Sequence, residues 1–201
     1  MRAQPWNTVF LIGFIVYLFI RAVFKRRTKG NVVFITRVDA LEKILIAVVI
    51  PGGLLLPLIY LFTPWLAFAD YHLPALVHWC GAVPMIAALW LFYRSHADLG
   101  QNWSVSLEVR QGHELVTQGA YRRIRHPMYA SIWLWCFAQA LLLDNWLAGW
   151  YSLPTFALMY FSRVSREEEM MCEFFGEQYR AYACETGRLF PPLRRGVVRR
   201  P

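Results

Sequence analysis

Two polar stretches of the chain contain the residue types that could do chemistry. Residues 115–129 hold arginines, a histidine and two tyrosines just before an apolar run. The glutamate pair Glu167-Glu168 follows the last apolar run. Charged groups at the edge of a bilayer are costly unless they bind one another or a ligand. We therefore expect the two stretches to fold together into one site.

The second stretch places charged residues at helical spacing. Arg163, Glu167 and Met171 are four residues apart, so they share one face of a helix. One interpretation is an ordinary surface ion pair between Arg163 and Glu167. The three adjacent glutamates 167–169 favour another, because like charges repel and only some can face open water. Glutamates that face the arginines and histidine of the first stretch would form a mixed-charge pocket.

His126-Pro127 in the first stretch predicts the start of a helix. Proline biases the preceding residue away from helical geometry and suits the first helical position. The N–H groups of Met128, Tyr129 and Ala130 would then point into the pocket and favour a carboxylate. The alternative is that His126 is a boundary histidine that only caps the helix.

The pocket favours a particular kind of ligand. S-adenosylmethionine carries an aromatic ring, an amine, a carboxylate and a positive centre, and all four suit the residues present. A nucleotide would also suit the arginines. The chain has no glycine-rich dinucleotide or phosphate loop, which counts against a dinucleotide.

The composition is typical of a membrane protein. The 201 residues are 57% hydrophobic and 17% charged, against about 25% charged in a soluble domain. Helices of roughly 17–25 apolar residues cross a bilayer. The runs of this kind without Asp, Glu, Lys or Arg are residues 3–20, 44–69, 71–93, 126–143 and 145–162. We predict an all-α integral membrane protein with five transmembrane helices, plus a cytoplasmic loop region and a C-terminal amphipathic helix that form the cofactor pocket.

Basic residues predict the orientation of these spans. Lysines and arginines follow the first, third and fifth spans, whereas the loops near Asp70 and Asp144 have none. Because basic loops stay in the cytoplasm, the N-terminus is predicted to be non-cytoplasmic, and the C-terminus and active site cytoplasmic. A bacterial inner membrane or an endoplasmic reticulum would fit. The net charge of +8 therefore reflects topology, and no nucleic-acid partner is expected.

The chain is predicted to be a single membrane domain, residues 1–201, with three spans in 1–93 and a catalytic half in 94–201. Pro51-Gly52-Gly53 is interpreted as a kink without a further role. A tight turn is expected at Asp144-Asn145. The fifth span is expected to continue as an amphipathic helix that breaks near Gly176 and ends by Gly187. The four cysteines have no metal spacing and receive no role.

Three motifs of the C-terminal half resemble a known family. Residues 113–121 (HELVTQGAY), residues 125–129 (RHPMY), and Glu167-Glu168 with residues 175–179 (FGEQY) are similar to the isoprenylcysteine carboxyl methyltransferase family. That family belongs to a wider group of small membrane methyltransferases that includes phospholipid methyltransferases. The resemblance covers about residues 99–191. It implies S-adenosylmethionine as cofactor, no metal, and a lipid-like or lipidated acceptor reached from the lipid bilayer.

The resemblance also implies roles for individual residues. Glu167 would hold the ammonium group of the cofactor, and Arg163 would be the catalytic residue that binds an acceptor carboxylate. Arg188 is a second substrate-binding candidate. Ser106 stands where some members carry an amide side chain, so no contact is assigned there. The residues implied to line the cofactor site are His113, Glu114, Leu115, Val116, Tyr121, His126, Pro127, Met128, Tyr129 and Glu167.

The acceptor and two other functions stay open at this stage. A carboxylate acceptor is preferred to an amine or a thiol, because it is ionised at neutral pH and needs no general base. An NADPH-dependent membrane reductase of the sterol type is one alternative, since such enzymes share the Arg-His-Pro-x-Tyr piece, although residues 113–121 argue against it. A non-enzymatic scaffold or transporter is the other, and it leaves the polar cluster unexplained.

Overall fold

The computed structural model describes residues 4–27, 33–36, 39–100, 108–110 and 114–192. Within these ranges the chain is a helical bundle with one short antiparallel ribbon. The elements are α1 (Pro5–Arg27), β1 (Val33–Thr36), α2 (Ala40–Ile50), α3 (Leu56–Phe62), α4 (Ala75–Leu99), β2 (Glu108–Arg110), α5 (Pro127–Leu142), α6 (Ser152–Phe175) and α7 (Glu177–Glu185).

Three helical stretches of the described chain are long and apolar enough to cross a membrane: Pro5–Arg27, Ala40–Phe62 and Ala75–Leu99. They overlap the first three predicted spans, with bounds that differ by up to seven residues, and make this a multi-pass membrane protein. Helix α5 is apolar but has only 16 residues. Helix α6 becomes charged in its second half. The fourth and fifth predicted spans therefore correspond to helices, and the count of five stays a prediction.

The short antiparallel β-ribbon was not predicted, because the sequence analysis expected an all-α protein. Strand β1 pairs antiparallel with β2. Strand β2 lies in the region between the third and fourth predicted spans. Strand β1 follows the basic end of α1, where the sequence analysis assigned only topology. Its residues, Val-Phe-Ile-Thr, are β-branched or aromatic, a composition typical of strands.

Small residues bring α4 and α5 into close contact. A Cβ added at Gly81 of α4 would lie only 2.9 Å from the Cβ of Leu141. Small side chains let membrane helices approach closely where apolar surface alone gives no driving force. Helix α1 completes this core with Phe10 and Phe14, which pack against Trp135 of α5. The core thus fixes α5, whose first turn belongs to the site described below.

The bend at residues 51–53 has a packing role that the sequence analysis did not predict. A π-helical turn, Pro51–Leu55, joins α2 to α3. A Cβ added at Gly52 would lie 2.6 Å from a ring carbon of Tyr151 and 3.1 Å from the Cα of Ser152. The buried amide of Gln139 donates hydrogen bonds to the carbonyls of Gly52 (2.8 Å) and Ala148 (2.7 Å). The bend is therefore locked against α5 and α6.

The predicted turns are present at both ends of α6. At one end the side chain of Asn145 accepts hydrogen bonds from Leu147 N and Ala148 N and donates to Leu66 O at 2.7 Å. At the other end α6 stops at Phe175, and Gly176 adopts a φ of 56° that glycine tolerates without strain. Helix α7 then ends at Glu185, as expected from the sequence.

The glycine pair in the π-helical turn provides a matched test of this packing. We expect Gly52→Ala to lower the free energy of unfolding by about 2 kcal/mol, because the added methyl overlaps Tyr151 and the α6 backbone. Gly53→Ala is the control, since a Cβ at Gly53 meets nothing within 4 Å. Denaturation midpoints of both variants in detergent would check this. Equal midpoints would show that the close approach at Gly52 is unimportant.

Candidate active site

A cavity of about 530 Å³ runs through the end of the bundle at which α5 begins. This volume is within the range of about 300–1,000 Å³ typical of ligand sites. One part is polar, and the rest is apolar. The polar lining residues include Arg21, Glu114, Tyr121, Arg125, His126, Tyr129, Arg163 and Glu167. The apolar lining residues include Phe14, Ile46, Val49, Leu54, Ile132, Trp135 and Phe156.

Glu168 is the centre of a hydrogen-bonded cluster beside this cavity. Its Oε1 accepts from Arg125 Nε at 2.6 Å and lies 3.1 Å from His126 Nε2. Its Oε2 accepts from Arg188 Nη2 at 2.6 Å. Arg125 also donates to the carbonyls of Ala183 and Thr186. The carboxylate of Glu168 thus joins α6 to the start of α5 and to the segment after α7.

The same contacts fix the charge of Glu168. Its partial burial raises the pKa, but hydrogen bonds from His126, Arg188 and Arg125 outweigh burial and hold the pKa well below its usual range. Because an ionised carboxylate only accepts hydrogen bonds, Nε2 of His126 must carry the proton that it shares with Glu168. The imidazole of His126 is therefore hydrogen-bonded to Glu168. The side chain of His126 makes no capping hydrogen bond to α5.

Glu167 faces the cavity, in contrast to its neighbour. Its Oε2 accepts a hydrogen bond from the hydroxyl of Tyr129 at 2.6 Å. Its Oε1 lies 3.9 Å from Nδ1 of His126. Arg163, one turn earlier on α6, places Nε 3.9 Å from Glu167 Oε2. The predicted meeting of the two polar stretches is present, because Glu167 and His126 line one cavity.

The loop before α5 is held from two sides. Asp98, near the end of α4, accepts a hydrogen bond from Ala120 N at 2.8 Å. The hydroxyl of Tyr182, on α7, donates to the carbonyl of Tyr121 at 2.7 Å. Gly119 has a φ of 61°, and a Cβ there would overlap the carboxylate of Asp98. These contacts place Tyr121 in the cavity wall.

Most residues of the predicted cofactor site line the cavity. They are Glu114, Leu115, Val116, Tyr121, His126, Met128, Tyr129 and Glu167. Pro127 is buried as the first residue of α5, with no place in the lining. His113 lies outside the described residues. The N–H of Ala130 donates to the carbonyl of His126 at 3.1 Å, so the expectation that it points into the pocket is wrong.

The two arginines predicted to bind substrate lie in different places. Arg163 and Met171 line the cavity, as their spacing along α6 predicts. Arg188 is absent from the lining and pairs with Glu168 instead. The backbone explains its position, since His126 N donates to Arg188 O at 3.0 Å and Arg125 N donates to Gly187 O at 2.8 Å. The segment after α7 thus lies beside residues 123–126.

Sequence reasoning missed two acidic residues that position the site. Glu42 places Oε1 3.4 Å from Nη1 of Arg163. Asp98 holds the loop that carries Tyr121. Asp39 and Glu42 are three residues apart, a spacing typical of a capping box. That signal accounts for Glu42 without any contact to Arg163. Asp98 lies near the end of a long apolar helix, where a polar residue is unremarkable.

Comparisons with known proteins were consistent with one another. A model described as the isoprenylcysteine carboxyl methyltransferase (ICMT) family matches residues 80–173. The protein-S-isoprenylcysteine O-methyltransferase of Dictyostelium discoideum is 30% identical over 136 residues, which cover 65% of this chain and 55% of the relative. That of Tribolium castaneum is 32% identical over 140 residues, covering 63% and 48%. The chain spans about half the length of these curated relatives.

A solved structure shares the fold. It is described as the eukaryotic intramembrane Ras methyltransferase ICMT, and it matches with a TM-score of 0.58 and 22% identity, covering 94% of this chain and 69% of that chain. The resemblance seen in the sequence is confirmed. The family match begins inside α4 and ends near the end of α6, so it includes Arg163 and Glu167, whereas Arg188 lies beyond it.

The cluster around Glu168 predicts a stability difference between neighbouring glutamates. We expect Glu168→Gln to lower the free energy of unfolding by about 3 kcal/mol at pH 7, because Arg125 and Arg188 lose their partly buried counter-ion. Glu169→Gln is the control, since Glu169 is exposed. Chemical denaturation in detergent would measure both. Equal destabilisation of the two variants would contradict a central role for Glu168.

The lowered pKa of Glu168 also fixes the sign of a pH dependence. A carboxyl whose folded pKa lies below its unfolded value of about 4.3 stabilises the protein above that value. The stabilisation is lost as the pH falls towards the folded pKa. The difference between wild type and Glu168→Gln should therefore be constant above about pH 5 and shrink below about pH 4. A difference that grows on acidification would contradict this.

Proposed function

We propose that the chain belongs to the isoprenylcysteine carboxyl methyltransferase family, to which it is similar, and that it is an integral membrane methyltransferase. The donor is S-adenosylmethionine, and the acceptor is the carboxylate of an isoprenylcysteine-type lipidated molecule. The observation that carries this proposal is one continuous cavity with a Glu–Arg–Tyr polar wall and an apolar remainder. Such a cavity suits a charged water-soluble donor and a lipid-like acceptor at the same time.

The polar wall fits the groups of the cofactor. The carboxylate of Glu167 lines the cavity and would hold the ammonium group. Helix α5 begins at the cavity with a proline in its first turn, and the partial positive charge of a helix N-terminus suits the cofactor carboxylate. Tyr121 and the backbone of residues 114–116 would line the adenosine. When bound, the cofactor supplies a methyl group already activated on a sulfonium sulfur.

The residues of this chain then have to bind, orient and exclude water. Arg163 lines the cavity and offers N–H donors that can hold a carboxylate with two parallel hydrogen bonds. A carboxylate is ionised at neutral pH, so no residue has to act as a general base. The apolar walls exclude water and strengthen these charge contacts. Alignment of the two reactants is therefore the main contribution of the protein.

The apolar part of the cavity supports acceptor access from the bilayer. Leu18 of α1 and Ile50 of α2 line the cavity, yet their exposed fractions are 41% and 46%. This exposure of lining residues supports an opening of the cavity at the outer surface of the bundle near these two side chains. Both side chains are apolar and lie on helices long enough to cross a membrane. An isoprenyl chain dissolved in lipid could pass this opening without crossing water.

The orientation in the membrane is part of the proposal. Basic residues crowd the ends of the helices near the cavity, whereas the turn capped by Asn145 has none. By the positive-inside tendency, the N-terminus is non-cytoplasmic, and the C-terminus and the polar wall face the cytoplasm. Five spans give this orientation. The donor then enters from the cytoplasm, and the acceptor enters from the bilayer.

The contacts of Arg125 count against the sterol-type reductase. A reductase would use the arginine of the Arg-His-Pro-x-Tyr piece to hold a phosphate of NADPH. Arg125 instead donates to Glu168 and to carbonyls of residues 183 and 186. Titration of the purified protein with S-adenosylhomocysteine and with NADPH separates the two functions. Binding of NADPH without S-adenosylhomocysteine would overturn the methyltransferase.

The acceptor class has a direct test. Tritium transfer from labelled S-adenosylmethionine is measured into N-acetyl-S-farnesyl-L-cysteine, phospholipid and a small thiol in parallel. We expect base-labile methyl ester in the farnesylcysteine arm, because its carboxylate and lipid chain match the two parts of the cavity. Label in phospholipid or thiol alone would keep the methyltransferase and replace the acceptor.

Glu167 and Glu169 provide a matched pair for the cofactor. We expect Glu167→Gln to weaken S-adenosylhomocysteine binding at least tenfold, because it removes the charge that opposes the ammonium group. Glu169→Gln should bind like wild type, since Glu169 is exposed. Isothermal titration in detergent would measure both affinities. Unchanged affinity of Glu167→Gln would remove this residue from the cofactor site.

Arg163 has a different expected effect. We expect Arg163→Ala to lower turnover of the acceptor at least a hundredfold. The variant loses the guanidinium that holds the acceptor carboxylate, and such a charge-assisted contact is strong in a cavity with apolar walls. The affinity for S-adenosylhomocysteine should change less than threefold. The tritium assay and titration measure the two quantities on one preparation. Normal turnover would exclude Arg163 from catalysis.

A further inference from the structure

Glu42 is a buried charge on a helix far from the family motifs. It lies in the first turn of α2, and its side chain is 3% exposed. Its backbone N–H donates to the side chain of Asp39 at 2.8 Å, which is the N-cap contact of a capping box. The carboxylate is not used in that cap. It turns to α6 instead, where Oε1 lies 3.4 Å from Nη1 of Arg163.

This placement is poorly suited to stability alone. Burying a carboxylate is costly unless hydrogen bonds and an opposite charge compensate it. Among the described residues, neither carboxylate oxygen of Glu42 has a hydrogen-bond partner. Its ion pair is with Arg163, the residue proposed above to hold the acceptor. A packed apolar side chain would be at least as stabilising as such a pair.

The arrangement places Glu42 behind the guanidinium. Arg163 lines the cavity, whereas Glu42 is absent from the lining. Arg163 lies between two carboxylates, with Nη1 towards Glu42 on α2 and Nε towards Glu167 at 3.9 Å. Glu167 is four residues away on the same helix, so a rotamer change would let Arg163 shorten this ion pair to a hydrogen bond. Glu42 opposes that change by attracting the far side of the guanidinium.

We propose that Glu42 is a positioning residue for the acceptor. It keeps Arg163 from closing to hydrogen-bonding distance of Glu167, so that the guanidinium presents its cavity-facing side to the acceptor carboxylate while Glu167 stays available for the cofactor. This inference rests on the proposed function, because it assigns Arg163 to the acceptor. It adds a contribution from α2, which also carries Ile46, Val49 and Ile50 of the cavity wall. Helix α2 thus contacts the lipid chain of the acceptor and, through Arg163, aligns its carboxylate.

The test compares two ion pairs that cross between the same helices. Glu42→Gln removes the charge beside Arg163. Asp39→Asn is the control, because Asp39 pairs with Arg166 at 2.8 Å on the exposed side and asparagine preserves the N-cap. With N-acetyl-S-farnesyl-L-cysteine, we expect Glu42→Gln to raise the acceptor KM about tenfold and to change the S-adenosylhomocysteine Kd less than threefold. Asp39→Asn should leave both values unchanged.

A double-mutant cycle distinguishes positioning from a merely structural role. In an Arg163→Ala background, Glu42→Gln should change the acceptor KM no further, because the group that it positions is gone. A structural role would instead lower the denaturation midpoint and leave the KM of the folded fraction unchanged. Glu42→Asp keeps the charge and should recover part of the KM. If Glu42→Gln does not fold, Glu42→Asp keeps the test decisive, because a wild-type acceptor KM with a side chain one methylene shorter would contradict positioning by Glu42.

The outcomes separate this inference from the function on which it rests. If wild type methylates farnesylcysteine and Glu42→Gln has the KM of Asp39→Asn, the positioning role is overturned and the methyltransferase stands. If wild type binds S-adenosylhomocysteine but neither binds nor methylates farnesylcysteine, the acceptor assignment and the role of Glu42 are overturned together. If wild type does not bind S-adenosylhomocysteine, the proposed function itself is overturned.

Discussion

The carboxylate of Glu168 is the interaction on which the site depends. It accepts hydrogen bonds from Arg125 and His126 at the start of α5 and from Arg188 beyond α7. Taking one carboxylate partly out of water is costly, and charge-assisted donors from separate segments compensate it. This anchor acts together with the hydrogen bond from Tyr129 to Glu167 and with the packing of α5 against α6. Since both helices contribute polar residues to the cavity, the Glu168 cluster helps to set its shape.

Helical rotation gives three identical side chains different environments. Successive residues of an α-helix point about 100° apart. Glu167 therefore faces the cavity and Tyr129, Glu168 faces Arg125, and Glu169 faces the outside. The acidic run that attracts attention in the sequence is thus three separate features. Arg125, just before α5, pairs with Glu168 and not with Glu167. Glu167 therefore stays available to a ligand that carries a positive charge.

Much of the local structure could be predicted because its causes are local. Proline after His126 starts α5, and glycine at position 176 separates α6 from α7. The turn at Asn145 follows from a side chain that accepts hydrogen bonds from the backbone N–H groups two and three residues later. The role of Glu42 could not be predicted, because a capping box explains the same residue in the same place. The backbone pairing that places Arg188 beside residues 123–126 joins segments about sixty positions apart.

The sequence by itself determined that this is a helical membrane protein with a resemblance to one methyltransferase family, that a proline starts α5 and a glycine separates α6 from α7, and which two stretches hold the polar groups. Hydrophobic run length, backbone sterics and motif spacing are properties of neighbouring residues, so they can be read without coordinates. Only the tertiary structure decided which glutamate faces the cavity, that α2 supplies a carboxylate to Arg163, and that the polar wall continues into an apolar channel. Those features depend on how helices distant in sequence rotate and pack against one another, and no local pattern specifies that.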